Sequence, residues 1–135
     1  MTVIDASVWV AWLDAKDAHH GAAVALLEGC QERGELLRSP SIALPEVLGS
    51  LARKGASAAR QNEVLCLFTG PAILLNDVTI ELASAAARLA GLYRLRGCDA
   101  VYVALAKHHS EPFLTFDAEQ KERGLRALEA RIEPP

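Results

Sequence analysis

The sequence predicts an α/β domain with a short central parallel sheet flanked by helices in three layers. Three observations carry that prediction. Short apolar runs alternate with segments of helical period, the order that builds parallel sheets from strand–helix–strand units. The 135 residues are 51% hydrophobic and 23% charged, enough for one packed core and too few for two. Cap and breaker residues fall where the periodic segments meet. The whole chain, 1–135, therefore reads as a single domain.

Val3-Ile4, followed by Asp5, is a short buried strand. Ser7 to Leu13 carries Val8, Trp9 and Trp12 at helical spacing. Asp14 to Asp17 is a polar break, and a second helix runs from about His19 to Gln31 with Ala23, Leu26, Leu27 and Cys30 on one face. Gly34 closes it, and Leu36-Leu37 makes another short strand. Ser39-Pro40-Ser41 is read as a loop. Pro45 belongs to the first turn of a helix, where its missing N–H is not needed. That helix reaches about Arg53 and stops at Gly55. Ser57 caps the next one, which extends to about Phe68. Ala72 to Leu75 is a third strand, and Thr79 to Leu95 is an Ala-rich helix before the break at Gly97. Cys98 to His108 is helical again, Pro112 ends that segment, and Phe113 to Phe116 is the fourth strand. Ala118 to Arg123 is a short helix, and Leu128 to Ile132 a weak last strand.

A net charge of −3 supplies no bulk polycation for nucleic acid or a membrane surface. Aromatics make up only 5% of the chain, which argues against recognition by stacked aromatic platforms. Any polyanion must be reached through local features or with help from a cation. Cys30, Cys66 and Cys98 form no CxxC pair and leave an odd thiol in any disulfide scheme, so each is expected as a small buried hydrophobe in a reducing interior. The first residues, MTVIDASVWVAWLD, contain no Lys or Arg and do not read as a secretory leader. No apolar run approaches the ~18 residues of a membrane span. The expectation is a soluble cytoplasmic protein.

In an open parallel sheet, ligands bind beyond the carboxyl ends of the strands. Asp5 ends the first strand and Asp117 the fourth. Glu46 and Asp99 each fall in the first turn of a helix, and helices that follow strands begin at that same edge. Four acids can therefore converge there. Carboxylates a few Å apart raise one another's pKa and cannot all stay ionised unaided. A hard divalent cation, Mg²⁺ or Mn²⁺, resolves the conflict with oxygen ligands and water. Such an ion can activate a water and bind a phosphoryl oxygen, a route to phosphodiester cleavage. Ser7 could bond the metal shell or a phosphate, and Thr115 could orient Asp117.

Each acid taken alone is more simply a helix cap or dipole partner. Asp77 fits that reading, ending a strand and starting a helix. Asp99 fits it less well, because it sits in the apolar run Cys98-Asp99-Ala100-Val101-Tyr102-Val103-Ala104, where an unpaired charge is costly. The adjacent pairs His19-His20 and His108-His109 lack the i, i+4 spacing of helical metal ligands and are expected at the surface. Phosphate-cradling glycine loops and the G-x-S-x-G elbow are absent from the sequence. Arg53, Lys54 and Arg60, or Arg94 and Arg96, make small basic groups that most simply form a solvated face; one rim could touch RNA phosphates.

With the acids placed, the sequence resembles a PIN domain, and within that family the small VapC-type ribonuclease toxins of bacterial toxin–antitoxin pairs. The carriers are Val3-Ile4-Asp5-Ala6-Ser7, Leu44-Pro45-Glu46-Val47-Leu48, Leu95-Arg96-Gly97-Cys98-Asp99-Ala100 and Leu114-Thr115-Phe116-Asp117. The Asp14 to His20 stretch adds to them. Single motifs of this kind are common, whereas their order and spacing together are specific. Carried over by position, Asp5, Glu46, Asp99 and Asp117 match the acidic catalytic and metal positions, and Ser7 and Thr115 the supporting hydroxyls. The resemblance implies Mg²⁺- or Mn²⁺-dependent cleavage of single-stranded or looped RNA, a homodimer and a cognate antitoxin. It leaves the RNA-binding residues unknown.

Three rival readings compete with this one. An aspartate-nucleophile phosphatase wants a second acid two residues after the first, where Ser7 stands. A receiver-like phosphoacceptor lacks the paired N-terminal acids and the matching lysine. A catalytically silent PIN-like module that binds RNA or protein is the non-enzyme alternative, and a missing acid would favour it; none is missing.

Overall fold

The structure, a computed structural model, describes residues 1–129. In chain order its elements are β1 (Thr2–Ile4), α1 (Ala6–Leu13), α2 (His20–Glu32), β2 (Leu37–Pro40), α3 (Ala43–Arg53) and α4 (Ala58–Thr69). There follow β3 (Ile73–Asn76), α5 (Ile80–Tyr93), α6 (Gly97–His109), β4 (Phe113–Leu114) and α7 (Ala118–Glu129). All four strands are parallel, in the order β3-β2-β1-β4.

The chain steps outward from β1 through β2 to β3, then returns to lay β4 on the other side of β1. Right-handed crossovers in opposite directions put their helices on opposite faces. Ile4 accordingly packs with Val8, Trp9, Leu27, Val47 and Phe68 from α1–α4. Val3, one residue earlier and on the other face, packs with Tyr102, Leu105 and Ala106 of α6. The Val3-Ile4 dipeptide thus touches both apolar layers, as the predicted three-layer α/β fold requires. The reversal of strand order at β1 makes a switch point, and the crevice beyond its carboxyl end is where such sheets bind ligands.

The expected Ser39-Pro40 loop is instead the end of β2, with Ser39 opposite Leu75 and Pro40 opposite Asn76 of β3. The reason lies in one donor. Val3 is in register with Arg38, so the next carbonyl, Ile4, faces residue 40, and proline has no N–H to offer it. The Ser39 hydroxyl donates to Ile4 O at 2.6 Å and accepts the Trp9 indole N–H at 2.9 Å. A side chain replaces the missing ladder bond, and the strand continues through its proline.

Other boundaries also differ. The fourth strand pairs only over Phe113–Leu114, which frees Thr115 and Phe116 to bond elsewhere. Helix α7 does not stop at Arg123, because Gly124 is a packing contact: a Cβ there would stand 3.1 Å from Val103 Cγ2. Gln120, Gly124 and Ala127 form its buried face. Leu128 therefore lies in a helix and not in a last strand; the remainder of that expected strand, residues 130–132, is outside the described residues. Cys30 is buried as expected, but Cys66 and Cys98 are exposed, since both fall on outer helix faces. Thr79, not Asp77, caps α5, accepting from Leu82 N at 3.1 Å. Among the described residues no helix is long and apolar enough to cross a membrane.

Candidate active site

Asp5 leaves β1 and caps α1, its Oδ2 accepting the Ser7 amide at 3.2 Å. The same oxygen accepts the Ser7 hydroxyl at 2.6 Å and the Thr115 hydroxyl at 2.9 Å. Gln120 Nε2 reaches Oδ1 at 3.4 Å. A carboxylate only 4% exposed is thereby met by donors from three separate stretches of chain, which is what makes its burial tolerable.

Ser7 and Thr115 do more than serve Asp5. Their hydroxyls lie 3.3 Å apart although 108 positions separate them. Ser7 Oγ accepts the Phe116 amide at 3.0 Å, and Thr115 Oγ1 accepts the Asp117 amide at 3.1 Å. This polar zipper turns the chain after β4 so that Asp117 emerges at the edge where Asp5 lies. Asp117 then caps α7 with Oδ1, which accepts the Gln120 amide at 2.9 Å.

The two helix-borne acids arrive on α3 and α6. Glu46, in the first turn of α3, accepts the buried Tyr102 hydroxyl at 2.8 Å on Oε1. Burial pushes the Glu46 carboxyl above the usual range; the Tyr102 bond opposes this, and the nearby Asp5 and Asp99 charges add to it. Asp99, in the first turn of α6, is raised by burial too, with Arg96 opposing and Asp5 and Asp117 adding to the rise. Tyr102 is pushed far up by burial and by the Glu46 carboxylate, so its hydroxyl stays a donor. The four sequence-predicted acids thus share one electrostatic neighbourhood.

Arg96 answers part of that charge. From the N-cap of α6 its Nε donates to Asp99 Oδ2 and its Nη2 to Asp117 Oδ2, both at 2.8 Å, while the side chain stays 71% exposed. Among the described residues no group of three or more His, Cys, Asp or Glu side chains stands arranged to hold a metal ion. The donor set nonetheless suits a hard divalent cation. It is all oxygen, it gathers four carboxylates against one guanidinium, and two of those carboxyls are raised in part by their neighbours' charge.

Three members of this constellation were not legible as such. Arg96 read as a solvated charge, yet it bridges two acids. Tyr102 read as an apolar helix position; its place one turn after Asp99 was the available signal. Gln120 has a local signal of its own, since Asp117-x-x-Gln120 is a capping-box signature. Basic side chains elsewhere behave more blandly. Lys54 pairs with Asp14 and Asp17 at 3.4 and 3.3 Å, and Arg60 with Glu63 at 3.2 Å. His20 Nδ1 lies 2.8 Å from Ala11 O.

A carboxylate-lined crevice at the switch point of a parallel three-layer sheet marks an acidic-site α/β domain. This chain belongs to the PIN domain family, whose model matches residues 2–124. The fold is similar to that of VapC20 from Mycobacterium tuberculosis, a sarcin–ricin loop cleaving toxin, with a TM-score of 0.77 and 20% identity over 92% of this chain and 95% of that one. It is also similar to FitAcB from Neisseria gonorrhoeae, with a TM-score of 0.64 and 17% identity over 92% and 93%. A structure of FitAB bound to an IR36 DNA fragment aligns at 0.65 with 16% identity, over 92% and 90%. At these identities the likeness is one of fold. No curated protein matches the chain.

Proposed function

We propose that this protein is a metal-dependent endoribonuclease, the toxin of a toxin–antitoxin pair, and that Asp5, Glu46, Asp99 and Asp117 are its catalytic and metal-binding residues. The observation that supports the reading is the shared electrostatic neighbourhood of these four carboxylates, with Glu46 and Asp99 each raised by burial and by the charge of neighbouring carboxylates. Asp5, Glu46 and Asp99 would hold the main ion, Mg²⁺ or Mn²⁺, with Asp117 completing the site directly or through water. When bound, the ion supplies Lewis-acid stabilisation of the phosphoryl oxygen and a water of lowered pKa.

The chain's own residues do the rest. Ser7 and Thr115 orient Asp5, Tyr102 orients Glu46, and one carboxylate takes the proton of the attacking water. Membership of the PIN domain family and a fold similar to that of VapC20, a sarcin–ricin loop cleaving toxin, support the reading. RNA is the proposed substrate, a cognate antitoxin the proposed partner, and the cytoplasm the proposed location. A homodimer is proposed through α5, where Ile80 and Leu92 are exposed.

The test is cleavage of total RNA by partner-free protein with Mg²⁺, Mn²⁺ or a chelator, beside Asp99→Asn. Discrete fragments that need metal and vanish in the variant are expected. One observation favours the second reading, a silent binding module: Arg96 already neutralises two acids from within the chain. No cleavage by folded, metal-supplied protein would decide for it.

A further inference from the structure

Beside the acids opens a cleft of about 380 Å³ whose lining includes Glu46, Ser50, Arg53, His19, Phe116 and Asp117. Its volume lies within the ~300–1,000 Å³ usual for ligand clefts. Glu46, Ser50 and Arg53 stand at i, i+4 and i+7, one face of α3, so a single helix brings an acid to one end and a cation two turns away. Arg53 has no hydrogen-bonding or ion-pairing partner among the described residues.

The aromatic wall is built and not incidental. The His19 and Phe116 rings stack with centroids 5.1 Å apart at 22°. Phe116 is fixed by its amide bond to Ser7 Oγ, and it directly precedes Asp117. His19 is fixed by its own amide, which donates to Asp17 Oδ1 at 2.8 Å, and Lys54 ties Asp17 to α3. An exposed imidazole held stacked over a half-buried ring, next to the acids, is a preformed surface for one more planar group. The low aromatic content of the chain hid it, because histidine does not enter that count.

We infer that the His19–Phe116 stack is a base-binding subsite: it takes an unpaired nucleobase of single-stranded RNA adjoining the scissile position, while Arg53 pairs with a neighbouring phosphate. The inference rests on the ribonuclease reading for its substrate class. Stacking suits this role because every base offers a π-face, so the subsite grips the strand without demanding a sequence. Arg53 supplies a positive charge that, unlike those of Arg96 and Lys54 nearby, is not already paired with a carboxylate among the described residues.

The test uses the full-length protein and a set of mixed-sequence RNA octamers, each with 2-aminopurine at one position. Binding is read by anisotropy and stacking by fluorescence quenching, in Ca²⁺ buffer; cleavage of the same octamers is read separately in Mg²⁺ and Mn²⁺. Quenching at one or two adjacent positions is expected. His19→Ala should weaken binding roughly tenfold and abolish the quench, with its melting temperature unchanged, and His19→Phe should restore both. Arg53→Gln should flatten the salt dependence by about 0.7 in log–log slope. Equal affinity and quench in His19→Ala would overturn the subsite. Cleavage of octamers that show no quench would overturn it while the nuclease reading stands. Octamers neither bound nor cut under any condition would take both down.

Discussion

Arg96 and Asp117 are joined across 21 residues by a 2.8 Å bond from Nη2 to Oδ2, while Nε of the same guanidinium binds Asp99 Oδ2. One exposed cation of the chain therefore sits on two carboxylates proposed to bind a divalent ion. Exposed ion pairs are each worth ~0.2–1 kcal/mol, so breaking two of them costs an incoming ion roughly two- to thirtyfold in affinity. Arg96→Gln is expected to bind Mn²⁺ tighter by that factor in calorimetry. Equal or weaker binding would show that Arg96 does not compete for the site.

Asp5→Asn should cut RNA cleavage by at least about a hundredfold, beyond the 10–100-fold typical of losing an outer-shell partner. Thr115→Val, which removes the 2.9 Å hydroxyl bond to Asp5, should lie within that 10–100-fold range. Asp77→Asn, placed after β3 and outside the acid cluster, should leave turnover nearly unchanged. Initial rates on one RNA substrate, with circular dichroism to confirm folding, rank the three.

The metal-free protein should be less stable at neutral than at mildly acidic pH through Glu46. Its carboxyl is raised in the folded state, so the folded protein binds more protons than the unfolded one over that interval. Stability from this group is complete below the unfolded pKa and is lost as pH rises through the folded one. Glu46→Gln keeps an acceptor for Tyr102 and removes the charge. It should melt higher than wild type at pH 7, with the gap closing near pH 4. A melting temperature below wild type at pH 7 would contradict the assignment.

Ser39→Ala strips two buried groups at once, the Trp9 indole N–H and the Ile4 carbonyl. Leaving buried polar groups unsatisfied costs ~1–3 kcal/mol each, so a loss of about 2–6 kcal/mol in urea denaturation is expected. Ser41→Ala, just beyond β2, is the matched control and should change little.

The sequence by itself determined the element order and both apolar layers, and it singled out four acids that the fold brings into one electrostatic neighbourhood. These follow from local rules: helical spacing, cap residues, and acids at the ends of strands. It misjudged elements wherever a distant group decided the outcome. Ser39-Pro40 looks like a loop because proline lacks a donor, and only the approach of Ile4 and Trp9 makes it a strand. Gly124 looks like a stop, and only Val103 on a neighbouring helix shows why glycine is needed there.

At the candidate site the division is the same. Asp5 and Asp117 are visible as acids at sheet ends, and also as plain caps; they are both, because the cap bond is what fixes each carboxylate. That Arg96, besides its local i,i+3 partner Asp99, also lies on Asp117, that Tyr102 lies on Glu46 and His19 on Phe116, belongs to tertiary structure alone. Each pairing is set by where two helices or a turn and a loop meet, and a side chain's partner across such a junction is written in no local stretch of sequence.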